Sequence, residues 1–132
     1  MIEPEILALE EWVRVEGLLD AKSKAVVVWL IANGDTEKAL QMLAEHYDVS
    51  APKLKVGLPK GRKRNSLGCY SPQKKTISVL DSDMLKNPFV ILHEFYHHLR
   101  TSSVDLRHKG TEKNADAFAR DFIHACRSFA ND

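Results

Sequence analysis

The sequence predicts an α+β fold, and three observations predict it. Apolar residues recur at helical spacing through the first 48 positions. The stretch 53–80 changes to short β-type runs punctuated by Pro, Gly and Ser, and from 88 onwards two more helical stripes appear. The expected architecture is three N-terminal helices, a small three-stranded sheet and two C-terminal helices. At 132 residues this fits one domain: a helical part over 1–48, a sheet over 53–80 and a helical pair over 88–130.

The elements follow in order. Residues 3–20 read as a first helix, with Pro4 tolerated in its opening turn and Ile6, Leu9, Trp12, Val13 and Leu19 on one face. Residues 21–32 are apolar almost all round, a composition that also suits a buried strand. The polar approach Lys22-Ser23-Lys24 and the stop Asn33-Gly34 favour a short buried helix. Asp35 or Thr36 caps a third helix through Tyr47, with Ala39, Leu40, Met42, Leu43 and His46 as its stripe. The string over 43–54 has the look of a helix-turn-helix that would enter a DNA groove. Pro52 and the alternation Lys53-Leu54-Lys55-Val56-Gly57 favour a strand there instead. Residues 67–71 and 76–80 bracket Pro72-Gln73-Lys74-Lys75 as a β-hairpin. Asp81 starts a short helical turn, Asn87-Pro88 opens a helix ending in the stretch 101–103, and Thr111 caps a last helix from Glu112 to about Phe129.

Composition narrows the function classes. A formal net charge of +1 gives no global field pointing to nucleic acid or a membrane surface. The longest apolar run, 25–32, spans less than half a bilayer as a helix. The start is acidic at Glu3 and Glu5, unlike a secretory signal. Cys69 and Cys126 are too few for a disulfide scaffold and read as reduced thiols, with the cytoplasm as the expected location. The basic loop Pro59-Lys60-Gly61-Arg62-Lys63-Arg64-Asn65 is a solvated turn on one reading, and a contact with an acidic partner or nucleic acid on the other.

The chemistry concentrates in residues 90–100, where His93, Glu94 and His97 form H-E-x-x-H. Four helical residues advance about 400°, so the two histidines lie one turn apart, roughly 40° round the axis, within reach of one metal ion. Glu94 lies about 100° round from His93, placed to act as a general base beside that ion without ligating it. A catalytic zinc needs three protein ligands and an open position. The metzincin pattern would need His at 103 and Gly at 100, where Ser103 and Arg100 stand. Glu112 and Asp116, four apart on the last helix, continue the line of its apolar face. Two carboxylates facing a core need compensation by an ion or its histidines. Glu112 suits the third ligand position, and Asp116 the outer nitrogen of a ligand histidine. The plainer alternatives are a Glu favouring the helix dipole and an Asp paired at the rim with Lys or Arg. Asp105, His108 and Asp116 stay open as other third ligands. His98, about 100° off the ligand face, is expected at the surface or behind the ligands.

The string HEFYHH, followed by Glu112-Lys-Asn-Ala-Asp116-Ala-Phe118-Ala119, resembles the gluzincin pattern of H-E-x-x-H plus a downstream E-x-x-x-D helix. Its wording is similar to the ImmA/IrrE-type peptidases and to the very small minigluzincins, over residues 53–123. The resemblance implies a zinc-dependent metallopeptidase with one Zn2+ per chain, held by His93, His97 and Glu112, with Glu94 moving the proton and a peptide or protein as substrate. It also implies a substrate rim formed by Thr76, Ile77, Ser78, Val79 and Leu80, whose edge an extended peptide would pair with. By the same resemblance the enzyme is a zymogen whose cleft is covered by a dimer partner or by residues 127–132. For the oxyanion stabiliser that such peptidases carry, Tyr70, Tyr96 and His124 are the candidates. Two alternative functions are a regulatory protease of the ImmA/IrrE sort acting on a transcriptional repressor, and a non-catalytic metal-stabilised module binding nucleic acid through Arg62 and Arg64.

Overall fold

The computed structural model describes residues 20–61, 66–102 and 112–130. These form four α-helices and a three-stranded mixed sheet, an α+β arrangement. Residues 3–19 of the expected first helix and 62–65 of the basic loop lie outside the described residues, as do the connection over 104–110 with its cap Thr111 and the last two residues.

Helix α1 (Ala21–Ala32) begins where the Asp20 carboxylate accepts the Ser23 N–H at 2.9 Å. A side-chain acceptor there satisfies one of the orphan donors of the first turn. The run is helical rather than a strand, and it is apolar all round because it packs on two sides. It meets both α2 (Thr36–Tyr47) and the last helix, α4 (Glu112–Ala130). Lys24 on α1 pairs with Asp121 on α4. In α2, Ala39, Leu40, Met42 and Leu43 are buried as the stripe requires, and Asp48 ends the helix in the left-handed region at φ 58.

The chain then runs into strand β1 (Lys53–Val56), so the second helix of a helix-turn-helix is not there. β2 (Gly68–Ser71) and β3 (Thr76–Val79) form the hairpin, antiparallel with Tyr70 opposite Ile77. β1 pairs parallel with β3, Leu54 opposite Ile77, giving the order β1-β3-β2. β3 is therefore the central strand. Ile77 and Val79 are fully buried and belong to one core with Ile91, Leu92 and Phe95 of α3 (Pro88–Thr101), Leu40 and Leu43 of α2, and Phe122 of α4. Apolar burial of this kind is the main favourable term in folding. A short 3-10 helix, Ser82–Lys86, capped by the Asp81 carboxylate on the Met84 N–H, links β3 to α3.

Candidate metal centre

Helix α3 carries the motif, and its start is well specified. Asn87 Oδ1 accepts the Val90 N–H at 3.2 Å, and Pro88 takes the first position, where its missing N–H leaves nothing unsatisfied. With that phase, one face of α3 presents Val90, His93, Glu94, His97 and Arg100 to a cleft of about 660 Å³. The opposite wall is β2, which comes close because residue 68 is a glycine. A Cβ there would stand 2.9 Å from Val90 Cγ1 and 3.4 Å from Glu94 Cγ.

Helix α4 crosses α3 so that Glu112, its first residue, lies over the two imidazoles. Glu112 Oε1 is 3.0 Å from His93 Nε2, and Oε2 is 2.8 Å from His97 Nε2. The rings are 5.2 Å apart, inclined at 69°. One turn further along α4, Asp116 Oδ1 is 2.8 Å from His93 Nδ1. A neutral imidazole donates through one nitrogen only. With Nδ1–H donated to Asp116, Nε2 carries the lone pair, the form that ligates a metal. A carboxylate oxygen facing that lone pair is repelled unless a proton or a metal ion stands between them, so this donor set is one that a metal ion would fit.

Two carboxylates compete for the third position. One donor atom each from His93, Glu94 and His97 lies within 4.8 Å of the others, a group able to hold an ion. The Glu94 oxygen is nevertheless 3.9 Å from His93 Nε2, whereas Glu112 reaches both Nε2 atoms with separate oxygens. Two nitrogens and a carboxylate make a mixed N/O donor set that could hold a metal ion. Burial works to raise the Glu112 carboxyl, but the two imidazoles against it, His93 before His97, outweigh that and hold the group below the usual carboxylate range. Burial, with a contribution from His93, lowers His97 despite the opposing pull of Glu112. The neutral ring is thereby favoured, as ligation requires.

Other expectations meet a different arrangement. β3 is paired on both sides, and Ile77, Ser78 and Val79 are buried, so the strand carrying Thr76 to Leu80 offers a peptide no free edge. The strand that lines the cleft is β2, through Gly68 and Tyr70. His98 is neither at the surface nor behind the ligands. It is fully buried, its Nε2 is 2.7 Å from the Ser50 carbonyl oxygen, and its Nδ1 is 2.7 Å from the Tyr70 hydroxyl. A carbonyl only accepts, so Nε2 bears the proton and Tyr70 donates to Nδ1. That leaves Tyr70 in the cleft with its hydroxyl proton already engaged. Tyr96 is buried against Phe118, ring centres 5.5 Å apart, and His124 is exposed on α4; neither lines the cleft. Residues 127–130 continue α4 roughly 22 Å of helical rise beyond Glu112 and so do not cover the site. Asp105 and His108 lie outside the described residues.

Arg100 is the cleft residue that the motif reading passed over. Its signal was the spacing: seven positions after His93 and three after His97, it falls on the ligand face. Comparison of the chain with family models, curated proteins and solved structures gave no match.

Proposed function

We propose that this chain is a zinc-dependent peptidase of the gluzincin type, hydrolysing peptide bonds in the cleft between α3 and β2. The observation that carries the reading is the Glu112 carboxylate, which reaches His93 Nε2 at 3.0 Å and His97 Nε2 at 2.8 Å, while Asp116 fixes the other nitrogen of His93 at 2.8 Å. His93, His97 and Glu112 would hold the ion. When bound, zinc supplies Lewis acidity, acidifying a water and polarising a carbonyl.

The remaining work belongs to the protein. Glu94 is 7% exposed beside His93, positioned to take a proton from the attacking water on a carboxylate oxygen and to hand it to the departing amine. Asp116 keeps the His93 ring oriented and its tautomer fixed. Gly68 lets β2 approach the base closely, and a substrate backbone lying along β2 would find main-chain donors and acceptors on the side away from β3.

Metal analysis alongside cleavage assays tests this. Wild type and Glu94→Gln should each retain about one zinc per chain, while cleavage of an unfolded protein substrate drops at least about 10²- to 10⁴-fold in the variant. Glu112→Gln should lose zinc. Turnover that persists in Glu94→Gln, or zinc retained undiminished in Glu112→Gln, contradicts the assignment.

A further inference from the structure

We infer that Arg100 is an anion-recognition residue of the cleft and makes it selective for substrates bearing a carboxylate two to three residues from the bond that is cut. The inference rests on the peptidase reading for what the carboxylate belongs to, and on the side-chain arrangement for the rest. Arg100 lines the same cleft as His93, Glu94 and His97. Its Nε and Nη1 atoms are shielded from solvent, yet neither meets an acceptor among the described residues.

A guanidinium is a planar cation whose N–H donors all need acceptors. Leaving buried N–H groups without an acceptor is costly, and more so for a charged group than for a neutral one. Such groups are expected to receive a partner; a rotation of the side chain would turn the fork into the cleft that Arg100 lines, and that fork is matched in shape to a carboxylate. No carboxylate among the described residues reaches those two atoms: Glu112 is turned to His93 and His97, Asp116 to His93, and Glu94 also lies beside His93.

Position along the helix says where on a substrate the anion would sit. Six residues separate Glu94 from Arg100, about 9 Å of axial rise. An extended chain covers that in about two to three residues at roughly 3.3 Å each. The group is therefore a C-terminal carboxylate, or an acidic side chain, near the scissile bond rather than the reacting carbonyl itself. Tyr70, with its proton donated to His98, offers a cleft anion only acceptor lone pairs, so it does not compete for the role.

Calorimetric titration of the zinc-loaded chain with three short probes tests the inference without needing turnover. The probes are N-acetyl-trialanine with a free carboxylate, its C-terminal amide, and the amide of N-acetyl-Ala-Glu-Ala. Wild type should bind at least one carboxylate probe about tenfold or more tightly than the neutral amide. Which of the two wins identifies the C-terminus or the side chain as the source. Arg100→Gln should abolish that preference while zinc stoichiometry is unchanged, and Arg100→Lys should keep part of it, as a point charge without the fork would. Equal affinities of wild type for all three probes overturn the inference. So does a preference that survives in both variants, which would mean that the carboxylate sits on the ion. Cleavage assayed on the same samples keeps the readings apart: probes selected through Arg100 by a chain that cuts nothing would sink the peptidase and leave this site standing.

Discussion

At the scale of single residues, His98 has two partners and therefore little freedom. Removing the Tyr70 hydroxyl leaves His98 Nδ1 without its donor in a fully buried place. Tyr70→Phe should lower stability by about 1–3 kcal/mol in urea unfolding while leaving cleavage largely intact, since that proton serves His98 and not the substrate. Burial also lowers the His98 pKa from its ordinary 6.5, against the bond to Ser50 and with a small push from Lys75. The unfolded chain then binds a proton that the native chain refuses. Stability from this group is complete above pH 6.5, falls as the pH drops below that value, and levels off beneath the folded-state pKa. Urea midpoints measured through that window should show a slope that His98→Gln flattens. Asp116→Asn should weaken zinc affinity about 10- to 100-fold, read by competition with a chromogenic chelator, because the His93 tautomer is no longer held by a charge. At this scale the pair of imidazoles and Glu94 were legible because H-E-x-x-H is a local spacing that a helix converts directly into geometry. Arg100 was not, since a cation on the ligand face belongs to no metal-binding spacing and its missing acceptor shows only in the fold. His98 was misplaced because angular distance from the ligand face does not tell which other element covers a helix.

Among the elements, the approach of β2 to α3 decides the shape of the cleft. Gly68→Ala would press a methyl to 2.9 Å from Val90 Cγ1 and 3.4 Å from Glu94 Cγ. The expected cost is about 1–3 kcal/mol of overpacking, together with a displaced Glu94 and lower turnover. Val90→Ala in the same chain should recover part of both, an interaction that a double-mutant cycle would measure. The hairpin was readable because its two runs and the four residues between them are contiguous. Strand order was not: β1 joins β3 in parallel across the intervening β2, and such pairing leaves no local mark. The resemblance to gluzincins put Thr76 to Leu80 at the rim, and nothing local in the sequence marked that strand as the centre of the sheet. The all-round apolar run of α1 was similarly ambiguous between a buried strand and a buried helix until its two packing partners were seen.

For the whole molecule, the proposed ligands come from two helices that also share the core. His93 and His97 stand on α3, Glu112 stands on α4, and Phe95 and Phe122 bury both helices in one cluster. An ion that binds the folded chain and not the unfolded one adds about 2.7 kcal/mol when its free concentration is one hundred times the dissociation constant. Chelation should accordingly lower the melting temperature of wild type, and do so much less in His97→Ala, as followed by circular dichroism. The α+β class could be read from periodicity because each helix and strand advertises its own repeat. How the two ligand helices cross could not, because it depends on packing between residues far apart in sequence.

Glu112 stands apart from its neighbours in one respect: its side chain is 78% exposed, against 12% for His93 and 17% for His97. The cage would thus have one latch, and the latch hangs on the outside. An ion inside could leave and return as that single arm swings, with no hydrophobic contact broken and no helix displaced. Loading and stripping would then be fast, reversible events of the intact fold, governed by how much free metal the surroundings hold.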